Sequence, residues 1–93
     1  MKPGFLVLDE RDNVGVALRS LSAGTRLDHG LPQVLILQDD IPMGHKFALV
    51  DVAPGEPVLK YGAVMGVTTA QVARGGHVHT HNVESRRGRG DLV

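Results

Sequence analysis

The sequence predicts an all-β domain, on three observations. No stretch of its 93 residues sustains a helical period with caps, the apolar residues fall in short β-branched runs, and these runs are punctuated by glycine turns. Aromatics are nearly absent, since Phe5, Phe47 and Tyr61 are the whole set, so a core of Val, Leu, Ile and Ala must fill a thin sheet or barrel interior. The expected organisation is one β-domain over residues 1–83, followed by a flexible basic tail over 84–93 whose apolar content is too low to pack.

In chain order, Phe5 to Leu8 reads as a first strand, closed by the polar turn Asp9-Glu10-Arg11-Asp12-Asn13, and Val14 to Leu18 pairs with it as a hairpin. Leu21-Ser22-Ala23-Gly24-Thr25-Arg26-Leu27 then introduces a pattern with an apolar residue three before a glycine and another three after it. The pattern returns around Gly55, from Val52 to Val58, and around Gly75, from Val72 to Val78. A glycine there takes a positive φ in a tight corner while the flanking apolar residues anchor both arms. Intervals of 31 and 20 residues between these glycines exclude a solenoid.

Val34-Leu35-Ile36-Leu37 is a continuous apolar run, expected as a buried strand. Ile41-Pro42-Met43-Gly44 is a turn leading into His45 to Val50, where alternation puts Lys46, Ala48 and Val50 on one face and His45, Phe47 and Leu49 on the other. Val58 to Tyr61 runs into Gly62 to Thr68 as strand-like sequence whose glycines, Gly62 and Gly66, mark a bend or the close approach of another backbone, and Thr68 to Val72 has room for one helical turn.

The densest chemistry lies in His77-Val78-His79-Thr80-His81-Asn82. On an extended strand the three imidazoles share one face, a row suited to divalent metals or to proton transfer near neutral pH. His77, His79 and His81 are the metal candidates, with His45 as another source of a third nitrogen. The Cα atoms of His77 and His81 would stand roughly 13 Å apart on a straight strand, which argues against one ion bridging the row. His45 and Lys46, after one glycine turn, and Lys60 and Tyr61, before another, are candidates for proton transfer or for binding an anion.

Ten basic and ten acidic residues balance, which gives no electrostatic reason to expect nucleic acid or an anionic membrane as partner. With no cysteine, disulfides and thiolate chemistry are excluded within the chain. The apolar run after Lys2 ends at Asp9, too soon for a signal peptide or membrane span, so a cytoplasmic protein is expected.

Four strings, Asp12 to Leu18, Ile41 to Leu49, Lys60 to Gly66 and Gly76 to Val83, together resemble the SAF domain of the altronate and galactarate dehydratase family. The resemblance implies a SAF-type β-clip, built of short strands and bent hairpins. It also implies elimination of water or sulfite from a hydroxy-acid such as a sugar acid, giving a 2-keto acid. Fused members continue into a large catalytic body; this chain is instead similar to the small subunit of two-component lyases, such as sulfolactate sulfo-lyase, expected to be inactive without a large catalytic subunit. His45 and His79 are then expected as catalytic groups, with Lys46, Lys60, Tyr61 and Asn82 binding the anionic substrate. A divalent metal such as iron or manganese is expected mainly on the large subunit. The competing expectation is a non-catalytic SAF module for assembly, regulation or carbohydrate-acid binding, and a homo-oligomer is compatible with either.

Overall fold

The structure, a computed structural model, describes residues 4–28 and 30–85. Among these residues there is no helix and there are nine short strands: β1 (Phe5–Leu6), β2 (Val14–Ala17), β3 (Arg26–Leu27), β4 (Leu35–Ile36), β5 (Lys46–Ala48), β6 (Pro57–Lys60), β7 (Ala63–Thr68), β8 (His77–Val78) and β9 (Val83–Ser85). They form an antiparallel sheet in the order β1-β2-β5-β8, a β3-β4 pair, and a second sheet in the order β6-β7-β9. The all-β expectation is met.

The glycine corner occurs four times, not three. Ile41, Gly44 and Phe47 complete the set, and Gly24, Gly44, Gly55 and Gly75 all take left-handed φ of 86°, 83°, 82° and 88°. With Gly44 included the intervals become 20, 11 and 20 residues, and the corners group into two pairs. An isolated bridge joins each pair, Leu21 to Ile41 and Val52 to Val72. Each pair also uses one aspartate in the same way: Asp40 accepts from the Ala23 N–H and Asp51 from the Arg74 N–H, both at 2.8 Å.

The flanking apolar residues of the two pairs fill two separate cores. Leu21, Leu27, Ile41 and Phe47 pack with Phe5, Ala17, Leu35 and Leu37, while Val52, Val58, Val72 and Val78 pack with Val14 and Ala48. Full burial of such side chains stabilises by about 1.5–3 kcal/mol each. Neighbouring residues of β5 therefore serve different cores, Phe47 the first and Ala48 the second, and so neither face of this strand is left polar along its length. In β2, Gly15 lies opposite Phe47, and a Cβ there would stand 2.6 Å from the Phe47 ring.

Three local expectations change. The run from Val34 to Leu37 is half-buried, with Leu35 and Leu37 inside and Val34 and Ile36 exposed, because β4 pairs with β3 alone among the described strands and only one of its faces meets the core. The stretch from Val58 to Thr68 folds back as a hairpin, and at Gly66 another backbone does approach closely, since a Cβ there would stand 2.6 Å from the Glu84 carbonyl oxygen. Tyr61 and Gly62 form the hairpin's two-residue turn at φ of 56° and 72°, the two positive values that match the twist of the strands they connect. Tyr61 tolerates this because the buried Asp12 carboxylate accepts the N–H groups of Tyr61 and Gly62, at 3.0 and 2.8 Å. The segment from Thr68 to Val72 has no helical turn, and Val72 is instead held by its bridge to Val52. At the C-terminal boundary, Glu84 and Ser85 belong to β9, paired with Val67 and Gly66; the rest of the expected tail, 86–93, lies outside the described residues.

Candidate active site

Strands β5 and β8 build the site. Their register sets Lys46 opposite Val78 and Phe47 opposite His77, which brings His45 across from His79. The His45 and His79 rings stack with centroids 3.9 Å apart and planes 14° off parallel. His45 Nδ1 and His77 Nε2 are 2.8 Å apart, a hydrogen bond in which one nitrogen carries hydrogen and the other offers a lone pair.

The expectation of a straight histidine strand is corrected. β8 ends at Val78, and residues 79–82 turn, with the Asn82 N–H donating to the His79 carbonyl at 3.0 Å. The turn exists because Asn82 bonds its own neighbours: its Oδ1 accepts the His79 N–H at 2.9 Å and its Nδ2 donates to the His77 carbonyl at 2.7 Å. It also brings the His81 ring to 5.0 Å from the His77 ring, centroid to centroid, so the two rings are near neighbours. Asn82 is buried with both ends of its amide engaged, so the structure places it as the clamp under the histidines, not at an open surface. Asn82→Ala is expected to cost about 1–3 kcal/mol in urea unfolding. Asn82→Asp, which keeps the acceptor for His79, is expected to cost less; equal losses would show that this bond does not hold the turn.

The sequence-predicted residues separate into two places. His45, Lys46, His77, His79 and, at the rim, His81 come together. Lys60 and Tyr61 lie at the β6–β7 turn, with the Lys60 ammonium 4.9 Å from the centre of the Tyr61 ring. Only the charge of Lys60 reaches the cluster, where it is the second influence lowering the pKa of Lys46, after burial. Three contributors had no signal in the sequence. Asp39 accepts the His77 N–H at 2.9 Å, and Met65 and Val83, from β7 and β9, form one side of a cavity of about 190 Å³ with Lys46, Val58, His79 and Thr80.

Burial pushes the His77 pKa down, helped by His81, His45 and His79 and opposed by Asp39. Burial likewise lowers that of His79, with His45, Lys46 and His81 adding to it. Both rings therefore favour the neutral form more than a free imidazole does. The folded state prefers the neutral form, whereas the unfolded chain takes up protons around the ordinary value of 6.5. Stability is thus fully present above that value and is lost as pH falls below it. The urea midpoint is expected to be lower at about pH 5.5 than at about pH 7.5, with a smaller difference in His77→Gln. A midpoint that rises on acidification would contradict this.

Among the described residues, His45, His77 and His79 form a group that can hold a metal ion, since one nitrogen from each lies within 4.8 Å of the others, and it is His45, not the expected His81, that completes it. Neutral imidazoles suit zinc, iron and related ions. Nitrogens about 2.0–2.1 Å from a tetrahedral ion would be roughly 3.3 Å apart, so the 2.8 Å contact must open and the stacked rings must turn toward one point. The set fits in kind, and by arrangement it is a hydrogen-bonded, stacked group of rings.

The family model described as altronate/galactarate dehydratase SAF domain matches residues 3–86. The chain belongs to that family. This SAF domain is 42% identical over 81 residues to altronate dehydratase of Escherichia coli, an alignment covering 87% of the chain and 16% of that protein. It is 35% identical to altronate dehydratase of Bacillus subtilis over 81 residues, with the same two coverages. The chain thus spans about one sixth of the altronate dehydratases it matches. It is also 37% identical over 93 residues to the (2R)-sulfolactate sulfo-lyase subunit alpha of Chromohalobacter salexigens, covering 94% of the chain and 99% of that subunit.

Proposed function

We propose that this SAF domain is the small subunit of a lyase that eliminates water, or sulfite, from a hydroxy-acid. The observation that carries the reading is the convergence of His45, His77 and His79 into one half-exposed group at the end of β5 and β8. Near-end-to-end similarity to a relative named as a subunit supports a separate larger partner.

In the elimination a base takes the proton from the carbon beside the carboxylate, the electron pair forms the carbon–carbon double bond, and hydroxide or sulfite leaves from the next carbon. The enol product then becomes the 2-keto acid. The domain's part is at the leaving group. His45 and His79 present imidazole ring N–H groups, and a proton handed from one of them to departing hydroxide makes water. His77 holds His45 in place through the 2.8 Å contact. A divalent metal such as iron or manganese would supply stabilisation of the enediolate, and we assign it mainly to the larger subunit, because the rings here are arranged for each other.

The test is reconstitution with a larger dehydratase subunit from the same genome. Neither polypeptide alone is expected to turn over altronate, galactarate or sulfolactate, and the pair is expected to form the 2-keto acid from one of them. Full turnover by the larger subunit alone would leave this domain a non-catalytic module for assembly.

A further inference from the structure

Among the described residues, no acidic group answers the charge of Lys46. Lys46 is half-buried at the start of β5, and its ammonium has neither an ion pair nor a hydrogen bond among the described residues. Burying part of a cation without a counter-charge is unfavourable, and such groups are ordinarily paired. The groups that act electrostatically on Lys46 and on His79 are all basic residues: Lys60 on the first, and His45, Lys46 and His81 on the second. His77, by contrast, has Asp39.

Lys46 and His79 line the same cavity of about 190 Å³, with Thr80 at its rim and Val58, Met65 and Val83 supplying apolar lining. It has room for a small head group with a short carbon chain. We propose that this cavity is an anion site, in which the Lys46 ammonium and the His79 ring receive the carboxylate or sulfonate of the substrate acid. The inference rests on the proposed function for the identity of the acid, but the binding itself is a property of this chain. It separates Lys46 from Lys60, Tyr61 and Asn82 as the residue that touches the anion. It also places that anion beside the stacked His45, within reach of the group proposed to carry the proton.

The test is titration of the 93-residue chain with lactate, with 2-hydroxyethanesulfonate and with neutral lactamide, read on the NMR signals of Lys46, His79 and Thr80. Saturable shifts at these residues are expected with one or both anions and not with lactamide, and the anion that binds names the head group. Lys46→Met is expected to weaken binding at least about tenfold while Lys46→Arg keeps it. Thr80→Glu, at an exposed position, sets a competing carboxylate at the rim and is expected to weaken binding without disturbing the fold. Shifts that do not saturate, that lactamide reproduces, or that survive both Lys46→Met and Thr80→Glu would overturn the anion site. Because no larger subunit is present, this result is independent of whether reconstitution yields a lyase.

Discussion

Replacing His79 by alanine is expected to lower the turnover of the proposed two-subunit lyase by about 10²–10⁴-fold, and replacing His45 to do the same, which is the usual contribution of a positioned acid or base. The two losses are not expected to add. His45 and His79 stack 3.9 Å apart and His45 shares a hydrogen bond with His77, so removal of either ring disturbs one unit. Both rings are half-exposed and neither belongs to either apolar core, so the variants are expected to fold and to bind the larger subunit. A scaffold that only assembles its partner would tolerate both substitutions. Turnover within about twofold of the parent in both variants, with the complex intact, would therefore remove the catalytic reading.

Gly75→Ala is expected to be the most destabilising single substitution at the glycine corners. Gly75 has a φ of 88°, and a Cβ built on it meets the Ile36 carbonyl oxygen, with the Gln38 nitrogen 3.3 Å away. The other three corner glycines share the positive φ but have open space around that position. Gly24→Ala, Gly44→Ala and Gly55→Ala should therefore cost only the left-handed backbone strain of about 1–2 kcal/mol, while Gly75→Ala adds a collision with backbone that cannot rotate away. The Gln38 N–H donates to the Gly75 carbonyl at 2.9 Å, so the displaced segment is the one that joins the last corner to the first core. Urea unfolding of the four variants checks the order; a Gly75→Ala midpoint equal to that of Gly24→Ala would refute it. The same displacement reaches the site, because Gly75 is two residues before His77 and Asp39 follows Gln38.

The sequence determined the all-β class, the first hairpin and the glycine corners, because these rest on local chemistry. Glycine three residues from apolar anchors on both sides specifies the same corner wherever it occurs, and its fourth copy around Gly44 was legible in the same terms. Sequence also marked His45, Lys46, His77 and His79 as the residues with chemistry to offer. What it could not supply is which of them meet. The His45–His79 stack depends on the register of β5 against β8, two strands far apart in the chain, and nothing within either strand encodes that pairing. The strand pattern also misled where a side chain bonded its own backbone: alternation predicted a straight row from His77 to His81, and the Asn82 amide turned it. Likewise Tyr61 and Gly62 read as strand because their turn is held by the Asp12 carboxylate, distant in sequence. The unanswered charge of Lys46 is visible only in three dimensions, since a lysine on an alternating strand is normally solvated, and only the approach of Met65 and Val83 from β7 and β9 makes it half of a cavity.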